Sequence, residues 1–363
     1  MNLSVPDEEI KETNSHSSQN ATHPKQYRIW IQMAIYSFMV ISGQSTATLL
    51  GRLYYEKGGK NKYIAALVQS AGFPIILPLL YISSKKNPTS NSTGQSKSSL
   101  NLVLASLYVA FGTFLALECM LYAVGLMYLP VSTFSLICAS QLGFNAFFSY
   151  FINSQKITPF ILNSIVLLTI STTLLVLNSD SLTSDVNKKY TLGLICTLGG
   201  TSGYALLLSV QQLAYGKLLK RQTFKEILNV ILFESMVTTF ALLVGLFGSG
   251  EWRSLRNEME GFELGRKLYL VILIGSALAW QVFGIGMVAL ILKVSSLYAN
   301  VVSTLNVPFV PVLGVLIFED RMNGIKVVAM LLAVWGSVSY VYQKYVDDVE
   351  VKEENVNVEV QRD

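Results

Sequence analysis

The chain has 363 residues, of which 52% are hydrophobic and only 14% are charged, and its formal net charge is +4. Soluble domains usually carry about 25% charged residues, so this composition excludes an ordinary soluble protein and predicts a multi-pass membrane protein. The three cysteines lie in apolar segments and the two histidines lie in the polar N-terminal tail. The sequence therefore predicts no disulfide framework, no metal site and no cofactor.

Apolar segments follow one another along almost the whole chain. Residues 1–27 are polar and predict a disordered cytosolic tail, and residues 346–363 form an acidic tail. A bilayer crossing needs ~20 apolar residues, and ten segments meet this requirement. The predicted spans are 29–50, 63–83, 101–126, 130–152, 158–178, 190–214, 227–248, 268–291, 294–318 and 325–345. Lys and Arg residues stay at or beyond the ends of these spans, and their balance favours both termini in the cytosol.

A short motif occurs twice. Leu129-Pro-Val-Ser-Thr133 recurs as Leu292-Lys-Val-Ser-Ser296, and each copy opens an apolar span that ends in a short polar turn. The match predicts a first five-helix repeat at 28–178, a linker at 179–189 and a second repeat at 190–345. Five crossings invert the second half relative to the first, which is typical of secondary transporters with a site near the midplane. The predicted fold is an all-α membrane protein with ten transmembrane helices in two inverted five-helix repeats.

Prolines fall inside two of the spans. Pro74 and Pro78 lie in the second span, and Pro308 and Pro311 lie in the ninth. Each removes a helix hydrogen bond and frees a carbonyl. A packing kink and a broken helix that lines a cavity are both compatible with this pattern.

Polar side chains inside a membrane are costly unless they are paired or used. Glu118 and Tyr122 lie four residues apart and so share one helix face, as do Gln141 and Asn145. The two segments meet at a tight connection around Pro130. They can therefore form two walls of one cavity.

Several motifs along the chain resemble those of one family. They are Gln44-Ser-Thr-Ala-Thr-Leu-Leu-Gly51-Arg52, Val68-Gln-x-x-Gly72-Phe73-Pro74, Tyr122-x-x-Gly125-Leu-x-Tyr128-Leu129-Pro130-Val131-Ser132-Thr133, Gln141-Leu-x-Phe144-Asn145-Ala146 and Trp335-Gly336. Together they resemble the plant purine permease family of the drug/metabolite transporter superfamily. The resemblance implies proton-coupled uptake of adenine-type purines, with cytokinins, caffeine-like bases or alkaloids as substrates in some members.

A site for a flat purine needs amides or a carboxylate for the ring edge and aromatic faces for stacking. The predicted substrate-binding residues are Gln44, Glu118, Tyr122, Gln141, Asn145, Gln211, Trp280, Gln281, Asn300 and Thr304. For any one amide, the alternative is an interhelical hydrogen bond.

Glu118 is also the predicted proton-coupling residue. A carboxylate in apolar surroundings favours its neutral form, so it can take a proton on one side of the membrane and release it on the other. The alternative is a carboxyl group that is permanently neutral or bonded for structural reasons. Glu234 sits early in its span and has the weaker claim.

These features rank the possible functions. The first is a proton-coupled symporter for purines and cytokinins, with purine, protons and the lipid bilayer as partners, the plasma membrane as location and no nucleic acid bound. Uptake of alkaloids or other flat heterocycles and a receptor for such ligands are the alternatives. Exchange of phosphorylated metabolites needs cations in the pathway, and none lies deep in a span. An intramembrane enzyme needs paired aspartates or a histidine, and no span contains either.

Overall fold

The computed structural model of the chain describes residues 8–86, 96–154, 158–177, 184–218, 223–306, 308–320, 322–336, 338–339 and 342. All regular secondary structure within these ranges is helical, and several helices are long and apolar enough to cross a bilayer. The protein is an all-α membrane protein, as predicted. The predicted tail 346–363 and part of the linker 179–189 lie outside the described residues.

The α-helices are numbered in chain order. They are α1 (Glu8–Glu56), α2 (Lys62–Leu67), α3 (Ile76–Lys86), α4 (Ser96–Tyr128), α5 (Val131–Cys138), α6 (Gln141–Asn153), α7 (Pro159–Leu177), α8 (Ser184–Leu218), α9 (Phe224–Ser249), α10 (Leu255–Glu260), α11 (Gly265–Lys293), α12 (Ser296–Thr304), α13 (Phe309–Phe318) and α14 (Gly324–Gly336).

Helix α1 begins at Glu8, within the segment 1–27 that the sequence predicts to be a polar tail. Extending a helix that is already nucleated costs little per residue, so a polar tail can continue an apolar span. The segment of α1 that is apolar enough to cross a membrane starts at Trp30.

Seven helical stretches in the described part of the chain have the length and hydropathy of a membrane span. Two of them combine a pair of helices, α5 with α6 and α12 with α13. Three shorter apolar helices, Phe73–Ser83, Leu162–Ser171 and Gly324–Gly336, coincide with the predicted second, fifth and tenth spans. Apolar helical segments therefore occur at the position of every predicted span.

Two of the seven long stretches are broken near their middle. The shorter second span is also broken, between α2 and α3, where Pro74 lies in a short 3-10 turn. The break between α12 and α13 contains Pro308, which has no N–H to continue the helix ladder. The break between α5 and α6 contains no proline; there the Ser140 hydroxyl donates to the carbonyl of Ile137 (2.7 Å), a local bond that competes with regular helix geometry. The sequence indicated a broken helix, with a packing kink as the alternative, only where prolines are present.

The two broken spans end in the same way. The residue after α6 is Ser154 (φ 53°) and the residue after α13 is Glu319 (φ 54°), both in the left-handed region that non-glycine residues rarely adopt. The helices that precede the broken spans end at Tyr128 and Lys293. Both pairs of positions are separated by the same number of residues, since 319 − 154 and 293 − 128 are both 165.

Small residues set the contact between α1 and α11, which pack along each other. A Cβ atom at Gly43 would lie 2.6 Å from the backbone nitrogen of Phe283, and one at Gly286 would lie 2.7 Å from the carbonyl oxygen of Tyr36. The two backbones can approach this closely only because both positions are glycine, as is common between membrane helices. This packing places Gln44 of α1 and Gln281 of α11 in the wall of the same cavity.

We expect Gly43→Ala to lower the free energy of unfolding by about 1–3 kcal/mol, because the added methyl group forces the α1 and α11 backbones apart. The matched control is Gly248→Ala, where a Cβ atom would meet nothing within 4 Å. There, alanine improves helix propensity by up to about 1 kcal/mol. Denaturant unfolding in detergent measures both variants, and equal stabilities would contradict the tight contact.

Candidate functional site

A cavity lies among α1, α4, α8, α9 and α11, which supply most of its wall. It offers about 150 Å³ to the centres of water-sized molecules, roughly ten times the 10–15 Å³ that a single water needs. Most of its wall is apolar, with a small number of polar groups, as is typical of small-molecule sites. The polar side chains in the wall are Gln44, Thr48, Gln69, Glu118, Gln141, Gln211, Glu234, Ser235, Ser276 and Gln281.

Glu118 is the most unusual of these groups. Its side chain, on α4, is 1% exposed, and neither carboxylate oxygen has a hydrogen-bond partner among the described residues. Gly203 of α8 faces it, and a Cβ atom there would lie 3.0 Å from Glu118 Oε1. Burying an ionised carboxylate without partners costs free energy. A proton or a hydrogen-bonding ligand in the cavity would lower that cost.

Glu234 lines the same cavity from α9 but is fully bonded. The side-chain nitrogen of Gln211 donates to both of its carboxylate oxygens, at 3.0 and 3.1 Å, and the hydroxyl of Tyr215 donates to Oε1. Both partners come from α8 and lie four residues apart on one face. The sequence analysis did not predict this cluster, because its members lie on two different helices.

Paired amides lie where the two broken spans meet. Gln141, at the start of α6, donates from Nε2 to Asn300 Oδ1 of α12 (2.9 Å), and Asn300 Nδ2 donates to the Gln141 carbonyl (3.1 Å). Gln44 Oε1 of α1 accepts from Ser303 (2.8 Å) and from Asn306 in the second break (2.7 Å). These bonds connect both breaks to the cavity wall.

Gln69 and Gln281 are anchored by backbone carbonyls. Gln69 Nε2 donates to the carbonyl of Cys119 at 3.1 Å, next to Glu118. Gln281 Nε2 donates to the carbonyl of Ser70 at 3.0 Å. The turn that follows α2 therefore links the helix that carries Glu118 to the helix that carries Gln281.

Aromatic side chains supply flat surfaces in the same wall. Tyr122 contacts Phe134 edge to face with 5.9 Å between ring centroids, and Trp280 contacts Phe283 in the same manner at 5.4 Å. All four rings line the cavity, as does Tyr204 of α8. Aromatic faces next to hydrogen-bonding groups suit a flat heterocycle.

The structure brings most of the predicted site residues together. Those that line the cavity are Gln44, Glu118, Tyr122, Gln141, Gln211, Trp280 and Gln281. The sequence analysis did not single out Gln69, Ser235 or Ser276, which also line it. Each is a polar residue in an apolar segment, which could have indicated a site. The sequence does not show which face of each segment meets the cavity.

Three predicted residues lie elsewhere. Asn145 does not line the cavity; it donates to the carbonyl of Ala205 at 3.3 Å and accepts from Ser149. Asn300 is not among the residues that line the cavity, and its side-chain oxygen accepts from Gln141. Thr304 lines a small neighbouring recess and donates to its own helix backbone, to the carbonyl of Asn300.

Arg52 fixes the connection between α4 and α5. Its Nη1 donates to the carbonyls of Leu126 (3.3 Å) and Leu129 (3.1 Å), and Glu56 pairs with Nη2. The last carbonyls of a helix have no partner within it, so Arg52 supplies one. This holds the end of α4 against α1.

Comparison with known proteins gives consistent matches over nearly the whole chain. Residues 31–350 match the model of a family described as purine nucleobase transmembrane transport. The chain is 50% identical to Arabidopsis thaliana purine permease 21, with 96% of this chain and 90% of that protein covered. It is 50% identical to probable purine permease 10 of the same plant, with 94% and 88% covered, and 51% identical to probable purine permease 6, with 93% and 88% covered.

We expect Tyr215→Phe to lower the free energy of unfolding by about 1.5–3 kcal/mol, because it removes a buried hydrogen bond to the Glu234 carboxylate. The control is Tyr81→Phe, whose ring is 71% exposed. Denaturant unfolding in detergent compares the two. A Tyr215→Phe protein as stable as the Tyr81→Phe protein would show that the bond contributes nothing.

Proposed function

The chain belongs to the plant purine permease family, as its motifs predict, and we propose that it is a proton-coupled symporter that imports adenine-type purines and derivatives such as cytokinins. Members of this family are transporters rather than enzymes, in agreement with the absence of any Asp or His in the predicted spans. The proton coupling, the cytokinin specificity and a location in the plasma membrane are parts of the proposal.

The observation that carries the proposal is the state of Glu118. A symporter that uses protons needs a group that can change its charge in the substrate pathway. Glu118 lies in the cavity wall with both oxygens unpaired, so taking up a proton breaks no existing hydrogen bond. Glu234, which accepts three hydrogen bonds, would lose at least one of them on protonation.

We propose ten transmembrane helices in two inverted five-helix repeats as the architecture. In support, apolar helices coincide with all ten predicted spans. The repeated 165-residue spacing of the helix ends at Tyr128 and Lys293, and of Ser154 and Glu319, supports a duplicated unit. The cavity is lined by α1 and α4 from one half and by α8, α9 and α11 from the other. Movement of one half against the other would open the cavity alternately to each side.

The cavity wall suits a purine more than a charged metabolite. Its amide and carboxylate groups match the hydrogen-bonding edge of a base, and Tyr122 and Trp280 offer ring faces. No Lys or Arg is among the residues that line the cavity in the described part of the chain. A phosphate group would therefore find no cation there.

We expect Glu118→Gln to abolish uphill uptake of labelled adenine, because glutamine cannot exchange a proton. In cells that express the wild-type chain, uptake should be faster at pH 5 than at pH 7.5 and should be lost when a protonophore is added. Exchange of labelled for unlabelled adenine across the membrane should continue in the variant, since it needs no net proton movement.

The matched control is Glu263→Gln, which removes an exposed carboxylate paired with Lys57 outside the spans. It should leave acid-stimulated uptake unchanged. If Glu118→Gln retained full pH-dependent, protonophore-sensitive uptake, Glu118 would not couple protons. Saturable binding without any flux in the wild-type chain would favour a receptor, and uptake of a competing alkaloid instead of adenine would change the substrate.

A further inference from the structure

Among the described residues, the buried side-chain atoms of the cavity wall that lack a hydrogen-bond partner share one property. They are Glu118 Oε1, Glu118 Oε2 and Gln281 Oε1. All three are oxygens, and in the ionised carboxylate and the amide they only accept hydrogen bonds. A ligand that carries N–H groups can pair with these three acceptors.

Four amide nitrogens in the wall each donate at least one hydrogen bond within the protein. Those of Gln69 and Gln281 donate to backbone carbonyls, that of Gln141 donates to Asn300, and that of Gln211 donates to Glu234. A carbonyl or carboxylate oxygen can only accept, so these bonds determine which end of each amide is the nitrogen. The opposite end of each of these amides is therefore its oxygen, and the oxygen of Gln281 has no partner among the described residues.

Gln44 has the opposite arrangement. Its oxygen accepts from Ser303 and Asn306, so its amide nitrogen is the end left for a ligand. The cavity thus places an amide donor on α1 and the unpaired acceptors of Glu118 and Gln281 on α4 and α11. A ligand that fits would carry N–H groups toward Glu118 and Gln281 and a ring nitrogen or oxygen toward Gln44.

The two acceptor residues are connected through one short turn. Gln69 donates to the carbonyl of Cys119, adjacent to Glu118, and the next residue, Ser70, accepts from Gln281. The turn itself is held by the bond from Thr239 to the Ser70 hydroxyl (3.0 Å). Glu118 and Gln281 therefore belong to one bonded section of the wall.

We infer that Glu118 and Gln281 select the ligand by its N–H groups, so that the cavity accepts amino-bearing heterocycles with a ring N–H and rejects those whose nitrogens are fully alkylated. This inference rests on the proposed function and narrows its substrate class. Leaving a buried acceptor unpaired costs about as much as a lost hydrogen bond. A protonated Glu118 still needs one N–H for its second oxygen, so the requirement holds in both of its forms.

The test is direct binding to the full chain in lipid nanodiscs, measured by calorimetry. The ligands are adenine, 9-methyladenine, N6,N6-dimethyladenine and caffeine, which has no N–H. Adenine should bind at least about 10-fold more tightly than caffeine, with the two methylated adenines between them, because each missing donor leaves an acceptor unpaired. Equal affinity for adenine and caffeine, or no binding of any of them, would overturn the inference.

Two variants of Gln281 isolate the acceptor. Gln281→Glu and Gln281→Met both lose the bond to Ser70, but only glutamate keeps an oxygen toward the cavity. The preference for adenine over caffeine should fall about 10-fold in Gln281→Met and persist in Gln281→Glu. The same loss in both would overturn the assignment to Gln281, and the wild-type ligand series still tests the inference if a variant fails to fold.

The binding series and the uptake assay test the two hypotheses independently. If caffeine binds as tightly as adenine while acid-stimulated adenine uptake is intact, the donor requirement is wrong and the proposed transporter remains. If the binding order is as expected but no flux occurs, the inference is upheld and the symporter is wrong.

Discussion

The lack of water inside a bilayer is the constraint on which the rest of this structure depends. A polar group there must find a partner in the protein, because leaving it unpaired costs several kcal/mol. The amides of Gln141, Gln211 and Gln281 all bond to residues outside their own helices. Among the described residues, five buried side-chain atoms lack a partner, and three of them face the cavity. The exceptions therefore concentrate where a ligand can pair them.

The helix breaks apply the same constraint to the backbone. An interrupted helix frees carbonyls and N–H groups at a depth where lipid cannot satisfy them. After α5, the backbone carbonyl of Gln141 accepts from the side chain of Asn300, and after α12 the side chain of Asn306 donates to that of Gln44. At each break, the polar groups bond to one another and form a polar cluster near the cavity. In the proposed transport cycle, these clusters join the two halves that must move.

Hydropathy and motifs predicted the helical class, the positions of the apolar helices and the family, because these are local properties of the chain. Proline marked the break in the ninth span but not the break at Ser140, where no proline is present. Spacing along one helix placed Glu118 and Tyr122 on a common face, and both line the cavity. It also placed Asn145 beside Gln141, yet Asn145 bonds to α8 through Ala205.

Seen as a sequence, the chain determines that it is an all-α membrane protein of the purine permease family with an acidic group, Glu118, deep in an apolar segment. The tertiary structure decides which polar groups are satisfied. Glu118 and Glu234 are both carboxylates inside apolar spans, but only Glu234 receives donors from α8. Gln69 lines the cavity, whereas Asn300 does not and instead bonds to Gln141. The physical reason is that a buried hydrogen bond depends on which helices meet and on their rotation, and neither is encoded within one segment.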